Sequence, residues 1–481
     1  AVPSLAMPRF AQLAQPPLGA QGIQSYKACE NSNNAITCEA GATTSSSGWC
    51  GIVAEQARSC LLLMKFMQGI SFASIIVDSY QVGALLGASP SFSGLLVGLF
   101  MSGAALGTIS MMLVLRVRPM AWKELRTILL CCQTMDGMGA LLYAIVVHLA
   151  VLGETGSMSI WSVAVVRCAW GIGKGVTGQL TGVTVTNITP PAELPDQMQR
   201  LQFFQTLGLG FGPLIAGLAI WVHGLLPLAS AGPSTLCAAP MTIATAQVVA
   251  LLQVWYLCPV RVEAWRSEDE ADDRAKGAVA PQRQSPRAQM LFLASCFLLC
   301  ALRGYVVAGA EVGTAMLLET QYGWNRQSIG FIISGAFLAS IPLQTGYANI
   351  KKSMTAIAWI RAFSFVAIGG TVLLFSRIAG LIPGGMSLVL ADSVMFPALY
   401  LGEGLTRGLM MQVAKEETLV TVNSASFVAI LLNNVARTLA PWLARLNISS
   451  GGEAIGGQDL FAASQLGVCI LFLVIFEGGI R

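Results

Sequence analysis

The chain has 481 residues, 54% of them hydrophobic and only 11% charged, with a mean hydropathy of +0.66. Soluble domains run about 25% charged, so this composition excludes a soluble globular protein and marks a polytopic membrane protein. The net charge of +4 is too diffuse to imply a nucleic-acid partner, and two histidines, His148 and His223, argue against a histidine-based metal site.

Residues 1–60 read as a polar arm rich in Ala, Gln, Ser, Gly and Pro, with no apolar run of signal-peptide length. The chain begins with Ala, as a processed or trimmed form would. Its first 29 residues hold Arg9 and Lys27 and no acid, a composition shared by organellar presequence remnants and ordinary polar tails. The arm carries Cys29, Cys38, Cys50 and Cys60, spaced too widely for a CxxC zinc knuckle. The other eight cysteines lie in or beside apolar runs and read as small buried hydrophobes. Fifty glycines without a period of three suit close helix packing.

Twelve apolar segments follow, each long enough to cross ~30 Å of hydrocarbon. They lie near 61–86, 91–115, 125–152, 158–186, 200–223, 238–258, 289–318, 327–348, 354–376, 383–411, 419–444 and 461–479. The charged, Pro-containing run at 259–288 reads as a solvated linker between a first half at 61–258 and a second half at 289–481. Loop 2–3 carries Arg116, Arg118, Lys123 and Arg126; loop 6–7 carries six further cations; loop 8–9 has Lys351, Lys352 and Arg361. The opposite loops are poor in cations, so the even-numbered loops and both termini are expected on the cytoplasmic or equivalent side. That side is usually reducing, which favours free thiols in the arm. Asn447-Ile-Ser449 is a glycosylation sequon on the opposite side.

The two halves resemble each other. Gly98–Ser110 and Gly330–Pro342 share six of thirteen positions at an offset of 232. Gly171 and Gly173 align with Gly402 and Gly404 at 231, and Pro213 aligns with Pro441 at 228. Three matches in order at a nearly constant offset argue for a duplicated six-helix unit, the plan of two-half secondary transporters with a midplane site between repeats.

Over residues 61–479 the chain resembles the major facilitator superfamily. Arg167, Gly171, Gly173 and Gly175 look like the fourth-helix RxxxGxGxG motif, and Gly208, Gly212 and Pro213 look like the fifth-helix GxxxGP motif. The first half is also similar to SPX-type vacuolar phosphate transporters and their lysosomal relatives, through Asp78-Ser-Tyr80, the run LGASPSFSGLLVGLFMSGAALG and the GPLIAG ending; no SPX domain is present. The resemblance implies an all-α fold of twelve transmembrane helices in two six-helix repeats. The sequence holds no HExxH or GxSxG motif, and Gly171–Gly175 lacks the GxxxxGK[ST] spacing, so neither enzyme activity nor a cofactor is expected. One departure stands out: Met111 occupies the place of the acid that latches loop 2–3 in that family.

Charges inside apolar spans face a bundle interior or a wet cavity. Eight are Asp78, Arg167, Lys174, Arg303, Glu311, Glu403, Arg407 and Arg437. Five cations against three acids motivate an anionic substrate. Lys174, Arg303 and Arg437, with the polar Gln179, Gln205 and Asn433, are the expected substrate-binding set, and Lys174 with Arg303 its centre. Asp78 and Glu311 are expected to couple protons, because burial disfavours a carboxylate's charge. Arg167, Glu403 and Arg407 are expected to form structural ion pairs; the last two stand four residues apart, which permits a pair within one helix.

The function expected is secondary active transport of a small anionic solute by alternating access, in an organelle membrane of vacuolar, lysosomal or plastid type. A different class of function fits the same fold: a non-transporting subunit of a larger membrane complex, with neighbouring membrane subunits as partners.

Overall fold

A computed structural model describes residues 46–88, 90–117, 122–152, 159–189, 193–225, 235–259, 286–413, 426–446, 448–450 and 453–479. Cys29 and Cys38, most of the 259–288 linker and Asn447 lie outside the described residues. The first half contains α1 (Ser46–Ala73), α2 (Ser79–Leu85), α3 (Pro90–Val117), α4 (Trp122–Val151), α5 (Ser159–Ile188), α6 (Leu194–Leu225) and α7 (Thr235–Leu257). The second contains α8 (Pro286–Thr320), α9 (Arg326–Leu338), α10 (Ser340–Ile350), α11 (Ala356–Val372), α12 (Met386–Val413), α13 (Ser426–Leu443) and α14 (Gly457–Gly479). A two-stranded antiparallel ribbon, Ile448–Ser450 against Glu453–Ile455, is the one β element among the described residues.

Among the described residues, eight helices are long and apolar enough to span a membrane: α3, α4, α6, α7, α8, the α9–α10 pair, α12 and α14. The other four expected spans are shorter or turn polar side chains inward. α11 has 17 residues. Gln68 and Ser71 on α1, Arg167 and Thr177 on α5, and Arg437 on α13 are all buried.

Two expected spans are broken helices. The span at 61–86 stops at Ala73 and resumes at Ser79, while α1 itself begins at Ser46, inside the stretch read as an arm. At the break, three-residue bonds replace four-residue ones: Ile76 N donates to Ala73 O and Asp78 N to Ile75 O, at 3.1 and 3.2 Å. Consecutive β-branched residues, Ile75-Ile76-Val77, and serine hydroxyls that bond nearby carbonyls favour this turn. The span at 327–348 divides at Ala339, because Pro342 cannot donate to a carbonyl of the preceding turn and its ring crowds it.

Glycine sets the helix spacing. Gly103 and Gly107 on α3 face Gly171 and Gly175 on α5, and a Cβ on any of the four would fall on a backbone atom of the other helix. Gly69 on α1 meets Gly208 on α6 in the same way. Such contacts let backbones approach where lipid supplies no hydrophobic drive between helices. The neighbour pattern then repeats: α3 packs on α5, α1 on α6 and α4 on α7, as α9 packs on α12, α8 on α13 and α11 on α14. Across the halves, α3 packs on α13, and α6 on α9 and α12. Exchange of the halves maps the α3–α13 contact onto the α9–α6 contact, as a two-fold axis between repeats requires.

The glycine zipper makes a measurable distinction. Gly171→Val would press a side chain on the Phe100 carbonyl and is expected to cost about 1–3 kcal/mol, read as a lower melting temperature of the detergent-solubilised protein. Gly346→Ala, with nothing within 4 Å of its Cβ position, is expected to leave the melting temperature unchanged.

Candidate functional site

The broken first span positions the site. The break leaves carbonyls at the end of α1 without helical donors. Arg167 of α5 supplies one, its Nη2 donating to Phe72 O at 3.0 Å. Its guanidinium is fully buried between aromatic faces, 4.4 Å from the Phe100 ring and 4.6 Å from Trp170. Arg167 therefore finds a carbonyl and ring faces instead of a carboxylate, and it fixes the Phe72 end of α1.

Lys174 lies two turns further along α5 and is half-buried. Its Nζ stands 4.5 Å from the Phe72 ring centre, 5.2 Å from Phe100 and 3.4 Å from Met101 Sδ. Among the described residues no carboxylate reaches it within ion-pair distance. From the second half, the Arg437 guanidinium stands 4.7 Å from the same Phe72 ring. Arg437 Nη2 donates to Glu311 Oε2 at 2.6 Å in a pair that is almost wholly buried. Tyr400 OH donates to the other Glu311 oxygen at 3.3 Å. Arg437 Nε and Nη1 are buried with no hydrogen-bond partner among the described residues. One turn below, Asn434 Nδ2 crosses to Ser102 Oγ on α3 at 2.8 Å, and the Asn433 amide lies against Gly304.

The structure separates Arg303 from Lys174. Arg303 Nη1 donates to Gly402 O and Thr406 Oγ1, both at 2.7 Å, and Nη2 to Ser364 Oγ at 3.3 Å; the Phe472 ring lies at 5.5 Å. All these partners belong to the second half. The repeat explains it: an offset of 232 aligns Arg303 with Ser71, which likewise faces inside its own half and donates to Asp136 at 3.1 Å. The cation that shares a ring with Lys174 is Arg437.

The remaining expected residues spread along the interface. Asp78 sits near the outer end, the side of the 321–325 connection, and accepts from Arg326 of the second half at 3.1 Å. Glu403 and Arg407 pair at 2.9 Å toward the inner end. Gln179 is buried; Gln205 is half-buried, with its carbonyl toward Gly69.

Three ionisable residues well inside the spans escaped the sequence reading: Lys65, Asp136 and Asp392. Each stands inside an apolar span, a signal visible in the sequence. With them, the balance of five cations to three acids becomes six to five, so overall cation excess no longer favours an anion; the local arrangement has to. Asp136 is buried in a knot formed by α1, α4, α5 and α7, accepting from Ser71, from Gln247 at 2.8 Å and from the Trp170 indole. Asp392 is buried beside Thr314 Oγ1 at 3.3 Å.

The halves touch at both ends. On the inner side Lys351 pairs with Asp196 at 2.5 Å and Gln199 meets Gln344 at 3.1 Å. On the outer side Arg445 donates to Tyr80 OH at 2.8 Å, beside the Asp78–Arg326 pair. A crevice of only about 10 Å³ near Ser79, Tyr80, Ser93 and Glu319 lies between the halves there.

No protein-family model matches the chain, and no curated protein does. Solved structures do. The human organic anion transporter MFSD10 (TETRAN) aligns with a TM-score of 0.54 at 14% identity, over 88% of this chain and 99% of its own. The xylose transporter XylE from E. coli gives 0.60 at 11% identity, over 89% and 98%. The nucleoside transporter NupG gives 0.56 at 12% identity, over 88% and 100%. At these identities the likeness shows the fold: the chain carries the all-α, multi-pass fold of the major facilitator transporters.

Proposed function

We propose that this protein is a secondary active transporter of a small anion, working by alternating access about a site centred on Lys174 and Arg437. The observation that carries the reading is Lys174 itself, a half-buried cation with no carboxylate within ion-pair distance among the described residues, sharing the Phe72 ring with a cation from the other half. A charge in low dielectric requires a counter-charge, and a ligand held between the halves can bias their equilibrium. The fold supports transport, and the anion handled by MFSD10 is consistent with the class of solute proposed. Gln179, Gln205 and Asn433 complete the proposed substrate-binding set. Glu311 and Asp78, each on a second-half or outer ion pair, are the proposed proton-coupling groups; Arg303, Arg167, Glu403 and Arg407 are proposed as structural. An organelle membrane is the proposed location.

A second reading, a non-transporting subunit of a membrane complex, draws on Met111, buried where the related fold places its latching acid. Reconstitution separates the two: purified protein that takes up anions into liposomes supports transport, whereas stable association with other subunits and no uptake supports the scaffold.

Three substitutions give distinct expected outcomes. Lys174→Gln should lower anion uptake by about ten- to hundredfold, the worth of a charge-assisted contact, with an unchanged melting temperature. Arg303→Gln should instead lower stability by about 1–3 kcal/mol, because it removes buried, charge-assisted hydrogen bonds to Gly402 O, Thr406 Oγ1 and Ser364 Oγ. Glu311→Gln should retain exchange of labelled anion across liposomes but lose accumulation driven by a pH gradient.

A further inference from the structure

Lys65 plays no part in the site as built so far. It lies on α1, half-buried, and its Nζ is 3.6 Å from the place a Cβ would take on Gly178. Gly178 follows Lys174 by four residues on α5, so the two lysines address neighbouring turns of one helix face. The missing side chain of Gly178 leaves the room that the Lys65 ammonium occupies. Glu403, the carboxylate paired on α12, already holds Arg407 at 2.9 Å. Neither lysine has an ion pair among the described residues.

Two like charges kept adjacent inside a bundle are costly unless a counter-charge joins them. The neighbouring Arg437 adds two buried nitrogens, Nε and Nη1, that have no partner among the described residues, and buried donors ordinarily find an acceptor. We infer that Lys65 and Lys174 form a paired cradle for a doubly charged oxyanion, with Arg437 as its third donor. This rests on the assignment of Lys174 as anion-binding and adds to it a residue, Lys65, and a valence. A compact tetrahedral dianion and a short dicarboxylate present the same chemistry, two negative oxygens within reach of two ammonium groups. Gly178 is the positioning residue, since a side chain there would fill the crevice without removing any charge.

The test is calorimetric titration of the full chain in detergent with sulfate, succinate and acetate. Sulfate or succinate should bind at least about tenfold more tightly than acetate, the equivalent of one added charge contact. Binding of sulfate alone identifies the compact dianion and of succinate alone the extended one; either supports the cradle. Lys65→Gln should weaken the dianion about tenfold and leave acetate nearly unchanged, while Lys65→Arg restores it. Gly178→Leu should block the dianion with all charges present, which covers the case in which Lys65→Gln fails to fold. Dianion binding that survives Lys65→Gln and Gly178→Leu but is lost in Lys174→Gln would overturn the cradle and leave the anion site standing. A wild-type chain that binds none of the three anions would overturn both.

Discussion

Arg437 reaches from the second half to the Phe72 ring of the first, and the centre of the molecule is arranged around that contact. A guanidinium on an aromatic face keeps part of its stabilisation without a carboxylate. Arg437 can therefore hold Glu311 with one nitrogen and leave two others free of any partner among the described residues. Lys174 shares the ring from the first-half side. The result is a charge that belongs to the interface rather than to either half, which is what a ligand needs if its binding is to favour one arrangement of the halves over another.

Everything around that contact keeps it in place. The glycine zippers bring α3 against α5 and α1 against α6 at backbone distance, so the first half is packed as one unit. The break after Ala73 exposes the Phe72 carbonyl, and Arg167 fixes it. In each half a buried polar group, Asp136 in the first and Arg303 in the second, ties helices within that half. The contacts that cross the halves at the two ends differ in kind. Lys351–Asp196 is about one-third to one-half exposed, and pairs of that sort contribute roughly 0–1 kcal/mol. Contacts so weak are easily exchanged, whereas the buried Glu311–Arg437 pair is not given up without a substitute for the carboxylate.

Much of this was legible in the sequence. The repeat at offsets of 228–232 implied the two-half plan, and the glycines of the fourth and fifth spans are those that make the close helix contacts. Spacing alone paired Glu403 with Arg407, because both lie on one helix. Partners distant in sequence were not legible: Glu311 and Arg437 are 126 residues apart. Nor was the direction of Arg303, since which face of a span looks toward the axis depends on how the whole half packs. The repeat held that information, through Ser71, but a serine gives no sign of its orientation. Asp136 and Asp392 were readable as intramembrane acids by the rule that singled out Glu311. Pro342 was readable as a break. Lys65 was readable as a cation, but its relation to Lys174 depends on Gly178, where the signal is an absent side chain.

An anion held between Lys174 and Arg437 should shift the balance between opening at the two ends. That shift is tested most directly by pulsed electron-spin distances on protein with its native thiols blocked or replaced. One label pair, at Arg200 and Asn349, spans the inner ends of α6 and α10; the other, at Leu85 and Gln321, spans the outer ends of α2 and α8. Addition of a bound anion should shorten one distance distribution and lengthen the other, and the shift should vanish when Lys174 is replaced by Gln. Distributions that stay fixed at both ends while the anion binds with measurable affinity would show that the site is not coupled to the arrangement of the halves.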